Sequence, residues 1–103
     1  MTFMISTSGE ILAALGARLR AQRLAQDLPQ RELAQMAGLS LGALRKLEAN
    51  GQSSLETLVR VVQALGLTGE LEHLFVLKRT SIAQMEQAEV AQQRKRAVRR
   101  KRP

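Results

Sequence analysis

The sequence contains no cysteine, no tryptophan and no tyrosine, and it has a single histidine, His73. Without cysteine the chain has no disulfides, no thiolate metal ligands and no cysteine nucleophile. One histidine cannot form a histidine-based metal cluster, and the nine acidic residues are spread along the chain. These absences remove the side chains on which most catalytic sites depend. We therefore expect no enzymatic activity, no metal and no cofactor.

Long apolar runs are also missing from the sequence. A membrane-spanning helix needs about 20 apolar residues, and no segment approaches that length. The opening residues, MTFMISTSGE, lack the basic start and long apolar core of a signal peptide. At 103 residues the chain is long enough for one small domain with a modest core. We expect a soluble intracellular protein.

Positive charge is in excess, and the excess lies at one end of the chain. The net charge is +7, and residues 94–103 (RKRAVRRKRP) contain seven of the sixteen basic residues and no acidic residue. Residues 1–93 contain nine basic and nine acidic residues, so they are neutral overall. Dense like charge repels itself, which predicts a flexible tail. Such tails commonly contact nucleic acid by releasing phosphate counterions; the alternative is a solubilising terminus.

Helical spacing of apolar residues predicts an all-α fold. A first helix is expected at 9–26, capped by Ser8 or Thr7. Its predicted buried stripe consists of Ile11, Leu12, Leu15, Leu19 and Arg23. A break at residues 27–29 (DLP) precedes a short second helix at 30–37, in which Met36 is among the residues expected to be buried. Ser40 is a good N-cap for a third helix at 41–49.

Two more helices are expected after the third. Ser53 and Glu56 match a capping box ahead of a fourth helix that ends at Gly66. A fifth helix is expected to begin at about Thr68. Residues 74–77 (LFVL) fit either this helix or a short strand that pairs with another subunit. We expect an N-terminal arm, a folded domain and a C-terminal extension with the basic tail; their predicted ranges are 1–8, 9–78 and 79–103.

The middle of the chain contains a known pattern. Residues 20–67, through QRELAQMAGLS, LRKLEANG and SLETLVRVVQALG, resemble the Cro/CI-type helix-turn-helix family, also called XRE-type. The resemblance implies a five-helix lambda-repressor-like domain that binds double-stranded DNA. Physical reasons accompany it: Gly38 permits the tight turn, Leu39 fills the wedge between two helices, and Leu44 and Leu47 anchor the recognition helix.

The resemblance also assigns roles to individual residues. It implies an ion pair between Arg23 and Glu48 that ties helix 1 to helix 3. It implies that Gln30 hydrogen-bonds a phosphate or steadies the contacts of helix 3. Asn50 either lies near the DNA backbone or is a plain turn residue. The candidate DNA-contacting residues are Gln30, Arg31, Ser40, Leu41, Gly42, Arg45, Lys46 and Asn50.

Two of these positions depart from the polar pattern that base-reading helices usually show at their leading end. Gly42 has no side chain for a base contact, although it lets the backbone approach DNA, and Leu41 offers only apolar contact to a thymine methyl. Direct readout of bases is therefore expected mainly from Ser40, Arg45 and Lys46. The two charged residues could bind a guanine edge or a phosphate. The alternative is that they are only solvated surface charges. Pairing of half-sites and DNA shape would supply the remaining specificity.

The overall layout resembles HipB-type antitoxins: a small Cro/CI-type domain, then ALGL and ELEHL, then a short basic tail. That resemblance implies a bacterial, cytoplasmic and nucleoid-associated homodimer that represses its own operon. It also implies binding to a HipA-family serine/threonine kinase toxin, whole or split into two chains. The alternative is a stand-alone phage-type repressor without a toxin. A small RNA-associated protein is less consistent with a chain so poor in stacking aromatics.

Overall fold

The computed structural model describes residues 3–78 and 82–101, with side chains described at 3–78 and 86–95. The helical elements, in chain order, are α1 (Ser8–Ala25), α2 (Gln30–Ala37), α3 (Leu41–Asn50), α4 (Leu55–Ala64), a 3-10 turn (Thr68–Leu71) and α5 (Ile82–Lys101). The predicted five-helix, all-α fold class is confirmed, and the described residues include no strand. No helix in this part of the chain is both long and apolar enough to pass through a membrane.

The first helix begins with a complete capping box. The Thr7 hydroxyl accepts a hydrogen bond from the Glu10 amide at 3.1 Å, and the Glu10 carboxylate accepts one from the Thr7 amide at 3.1 Å. Of the two caps allowed by the sequence, Thr7 is therefore the one used. Two hydrogen bonds with Thr7 lower the pKa of the Glu10 carboxyl. The bond with the Thr7 backbone has the larger effect, and the bond with the Thr7 side chain has the smaller one.

The packing face of α1 agrees with the predicted stripe at Leu19 and Arg23 and differs from it elsewhere. Its buried residues are Gly16, Leu19 and Arg23, whereas Leu12 and Leu15 are exposed. The reason is that α1 meets α3 through backbone contact. A β-carbon at Gly16 would collide with the carbonyl oxygen of Leu47. The spacing of apolar residues predicts contacts between apolar side chains. It therefore could not predict a packing face centred on a glycine.

The turn between α2 and α3 has the predicted form. Gly38 adopts φ +69°, and the Leu39 amide donates to the Ala34 carbonyl at 2.8 Å, which closes α2. Ser40 then caps α3, because its hydroxyl accepts from the Ala43 amide at 3.1 Å. The core beneath this turn is aliphatic, and its most buried members are Leu33, Leu44, Leu47 and Val61. Met36, which we expected to be buried, is 53% exposed.

The start of α4 corrects the predicted capping box. Ser54, not Ser53, caps this helix, and its hydroxyl accepts from the Thr57 amide at 3.0 Å. Glu56, the expected second half of the box, instead accepts a hydrogen bond from Arg60 one turn later at 2.7 Å. Adjacent serines offer two possible caps, and the one-residue difference is too small for sequence spacing to resolve.

The region after α4 also differs from expectation. The predicted fifth helix amounts to the single 3-10 turn, and α5 starts only at Ile82. Residues 74–77 form neither helix nor strand in this single chain, and all four side chains are exposed. Phe75 has φ +60°, which interrupts a right-handed helix, and a strand would need a partner strand.

The chain divides into two compact units, Met1–His73 and Leu74–Pro103. Residues 74–78, which we assigned to the folded domain, thus fall in the second unit. Within that unit, α5 carries the acidic residues Glu86 and Glu89 ahead of the basic segment that begins at Arg94. Its backbone is helical as far as Lys101, and the flexibility of the basic tail stays a prediction.

Candidate nucleic-acid interface

The recognition helix α3 has an inward and an outward face. Leu44, Leu47 and Glu48 are buried against the rest of the first unit. Arg45 and Lys46 are exposed on the opposite side. Leu44 and Leu47 therefore anchor the helix, and the two cations remain accessible to a partner.

A buried ion pair joins α1 to α3. Arg23 donates from Nε to Glu48 Oε2 at 2.8 Å and from Nη2 to Oε1 at 3.0 Å. The two side chains are only 7% and 3% exposed. The remaining arm, Nη1, donates to the Leu28 carbonyl at 2.8 Å and so holds the loop before α2. The residues that the family pattern paired are thus brought together, in a bidentate arrangement typical of strong arginine–carboxylate contacts.

The charge state of Glu48 follows from this environment. Burial of the carboxyl acts to raise its pKa, but hydrogen bonds from Arg23 and Gln30 and the charge of Arg23 outweigh it and lower the pKa below its ordinary value. Glu48 is therefore a carboxylate at neutral pH. Among the described residues, every buried side-chain nitrogen and oxygen has a hydrogen-bond partner.

Gln30 connects the buried pair to the surface. Its Nε2 donates to Glu48 Oε1 at 3.1 Å, and its Oε1 accepts from Arg45 Nε at 3.4 Å. Residues from three helices thus form one continuous chain of polar contacts from Arg23 to Arg45. Sequence reasoning offered two roles for Gln30, and this geometry matches the one in which it steadies helix 3.

The leading end of α3 is small and open. The hydroxyl of Ser40 already accepts the capping hydrogen bond, which leaves its proton as the group able to donate to a ligand. A β-carbon added at Gly42 would meet nothing within 4 Å, and Leu41 is partly buried. The fold therefore does not require glycine at position 42.

The loop after α3 is shaped by a second glycine. Gly51 is buried with φ +74°, and a β-carbon there would collide with the backbone of Leu12 in α1. Asn50 Oδ1 accepts a hydrogen bond from the Gln52 amide at 3.1 Å, so this side chain stabilises the turn. That contact matches the turn role that we left open for Asn50, and it occupies the side-chain oxygen.

Two further features belong to the candidate interface. A shallow groove beside α3 is lined by Ala43, Lys46, Gln52, Ser53, Ser54 and Thr57. Sequence reasoning included only Lys46 from this set, although the polar run QSS directly after Gly51 was the available signal. At the start of α2, Arg31 is exposed, and Pro29 caps the helix without a side-chain hydrogen bond.

This geometry agrees with the comparison to known families. A family model described as helix-turn-helix matches residues 19–72, which is just over half of the chain. The chain belongs to the XRE-type helix-turn-helix family. It is accordingly a DNA-binding transcriptional regulator with a lambda-repressor-like fold. No curated protein matches the chain.

Proposed function

We propose that this helix-turn-helix regulator is a homodimeric repressor that reads each half of a double-stranded operator with α3. The observation that carries the proposal is the outward face of α3, where Arg45 and Lys46 are exposed beside a glycine with open space around it. A helix with so little bulk at its leading end can approach the floor of the major groove closely. Its two cations then reach guanine edges or phosphates.

The other candidate residues support this contact. Ser40 donates from its free proton, and Leu41 offers apolar contact to a thymine methyl. Arg31 lies in the first turn of α2, where a phosphate is attracted by the positive end of the helix. Asn50 steadies the loop that borders the same face.

Dimerisation is proposed because one α3 supplies few base contacts. Two half-sites about one DNA turn apart would double the readout. The exposed apolar residues of 74–77 are the proposed dimer or partner surface, since Phe75 is 93% exposed and Leu77 is 76% exposed. Side chains of this kind are stabilised when a second chain covers them.

We further propose that the regulator is a HipB-like antitoxin that binds a HipA-family kinase toxin, whole or split, and represses the operon that encodes both. Support comes from the layout: a small DNA-binding domain followed by a separate second unit that ends in a basic segment. The alternative function is a stand-alone repressor, which shares the DNA-binding site and lacks the kinase.

The DNA-reading face is tested by competition binding of an operator duplex against random-sequence duplex. Arg45→Ala and Lys46→Ala are each expected to reduce the preference for the operator by about 30-fold, which corresponds to about 2 kcal/mol, the middle of the range for removal of a base-reading side chain. Arg60→Ala is the matched control, because Arg60 is an exposed arginine of α4 that pairs with Glu56. If both α3 variants keep the preference of the unmodified protein, α3 does not read the operator.

The partner is tested by co-purification of the regulator expressed from its native operon. A kinase recovered in stoichiometric amount supports the antitoxin function. A regulator that copurifies with no kinase but still represses its promoter is the stand-alone alternative.

The basic tail is tested by salt dependence. If residues 94–103 bind phosphates, their deletion weakens binding to all duplexes alike and lowers the slope of log K against log salt by about 0.9 for each phosphate that is no longer neutralised. An unchanged slope assigns the tail to solubility or protein binding.

A further inference from the structure

We propose that the buried carboxylate of Glu48 acts through Gln30 to set the pose of Arg45, so that the Arg23–Glu48 pair serves base reading as well as folding. This inference rests on the proposed function, in which Arg45 contacts the operator. It assigns Gln30 and Glu48 as positioning residues, which influence recognition without touching a base.

The first step concerns the orientation of the Gln30 amide. A glutamine side chain has a donor end and an acceptor end, whereas an ionised carboxylate only accepts. Beside Glu48, Gln30 must therefore present Nε2, and the observed distance from Nε2 to Glu48 Oε1 is 3.1 Å. The carboxylate in turn is held by two hydrogen bonds from Arg23. The acceptor end of Gln30 is consequently directed away from Glu48.

The second step concerns the group that meets this acceptor. The Gln30 oxygen lies 3.4 Å from Arg45 Nε, on the exposed side of α3. Engaging Nε leaves the two terminal nitrogens of the guanidinium available to an outside partner, and a guanine edge is bound by two parallel N–H groups. Restraining a long side chain before binding reduces the conformational entropy that is lost on binding.

The size of the effect follows from the distance and the exposure. A hydrogen bond of 3.4 Å at the surface is at the weak end of the range, so the relay is expected to change operator preference by about three-fold to ten-fold. That effect is smaller than the effect of removing Arg45 itself. It concerns preference between sequences and leaves binding to random duplex unchanged.

The experiment uses Gln30→Met, which keeps the length of the side chain and removes both polar ends. Gln26→Met is the matched control, because Gln26 also makes a partly buried hydrogen bond, from Nε2 to the Leu65 carbonyl at 2.8 Å. We expect both variants to lose some thermal stability. Only Gln30→Met should lower the preference for operator over random duplex.

A cycle with Arg45→Ala separates the possible outcomes. If the relay operates, Gln30→Met lowers preference in the unmodified protein and has no further effect in the Arg45→Ala background. An equal effect in both backgrounds means that Gln30 contacts DNA itself and overturns the relay. If Arg45→Ala lowers preference and Gln30→Met does not, the relay is wrong while the proposed function stands. If Arg45→Ala has no effect, the proposed reading by Arg45 fails.

A second readout needs no DNA. In the free protein, the Arg45 Nε–H resonance in a ¹⁵N spectrum should exchange with water more slowly than that of the exposed Arg31. Gln30→Met should remove this protection, and Gln26→Met should not. An Arg45 signal that is unprotected in the unmodified protein, or unchanged in Gln30→Met, contradicts the inference.

Discussion

The contact between α1 and α3 and the outward face of α3 use the same helix in opposite ways. At the contact, Gly16 is packed so closely that a β-carbon would collide with a carbonyl of α3. On the outward face, Gly42 has open space around it. A glycine inside a helix is less favourable than alanine by about 1 kcal/mol. The fold explains Gly16, whereas Gly42 is explained by the proposed approach to DNA. The difference between the two glycines shows that folding constrains the face of α3 that meets α1 and does not constrain the outward face.

The largest expected effect comes from breaking the buried pair at the contact. Arg23→Leu leaves the carboxylate of Glu48 buried without its main partner, and we expect the free energy of unfolding to fall by about 3–5 kcal/mol. Urea denaturation measures this change. Arg20→Leu removes an exposed arginine of the same helix, which acts on Glu48 by charge alone and without a hydrogen bond, and should change stability by less than about 0.5 kcal/mol. Similar decreases in both variants would mean that burial of the pair is unimportant.

The same pair makes stability dependent on pH. The pKa of the Glu48 carboxyl is lowered in the folded state, so the unfolded chain takes up the proton first as pH falls. Its contribution is therefore fully present above the unfolded pKa of about 4.3 and is lost as pH falls below that value. Glu48→Gln should flatten the decline of the free energy of unfolding between about pH 5 and pH 3. The pKa of the Glu10 carboxyl is also lowered by its capping hydrogen bonds with Thr7, and Glu10→Gln measures its separate share of the pH dependence.

The next effect concerns the packing glycine. Gly16→Ala places a methyl group against backbone that cannot move aside without separating α1 from α3. We expect the free energy of unfolding to fall by about 3 kcal/mol, at the upper end for overpacking, with a lower melting temperature. Gly9→Ala in the same helix is the control, because a β-carbon at Gly9 meets nothing within 4 Å. Equal behaviour of the two variants would remove the distinction between the glycines.

Gly42→Ala is expected to have effects of opposite sign on stability and binding. Alanine should stabilise α3 by about 0.5–1 kcal/mol, since it fits the open space and favours the helix. Operator binding should weaken if the backbone of α3 approaches the DNA closely. Thermal unfolding and operator titration of the same sample test both parts. A variant that is more stable and binds equally well would show that the glycine is not needed for DNA.

The smallest effect is expected at the exposed Glu56–Arg60 pair. Although the two side chains are 2.7 Å apart, they are 73% and 47% exposed, and such pairs one helical turn apart contribute about 0.3–0.5 kcal/mol. Arg60→Ala should therefore shift the urea midpoint only slightly. A decrease in stability comparable with that of Arg23→Leu would contradict the expectation that the buried Arg23–Glu48 pair contributes more than the exposed pair.

Local signals predicted the turn between α2 and α3 well. The bounds of α2 agree with expectation, and α3 is one residue longer than expected. The bounds were predictable because Gly38, Ser40 and Gly51 act on the backbone next to them. The packing face of α1 was not predictable in the same way. Helical spacing placed Leu19 and Arg23 correctly on the buried side. The centre of the face is Gly16, which meets the backbone of α3, and apolar spacing carries no information about such a contact.

The candidate site shows the same division. The outward direction of Arg45 and Lys46 follows from helical geometry once Leu44 and Leu47 are taken as the inner face. The connection from Glu48 through Gln30 to Arg45 depends on side-chain conformations, which no sequence pattern specifies. Residues 74–77 were assigned either to the fifth helix or to a strand that pairs with another subunit. The positive φ of Phe75 interrupts the helix, and the strand alternative depended on a second chain.

The two-faced character of α3 has a consequence for how operator choice can be changed. Gly42, Arg45 and Lys46 take no part in the aliphatic core. Under the proposed reading of the operator by α3, a library that varies these three codons explores new target sequences while the hydrophobic interior stays the same. Divergence of binding preference among duplicated copies of such a gene would need only surface substitutions, each changing the free energy of unfolding by about 1 kcal/mol or less.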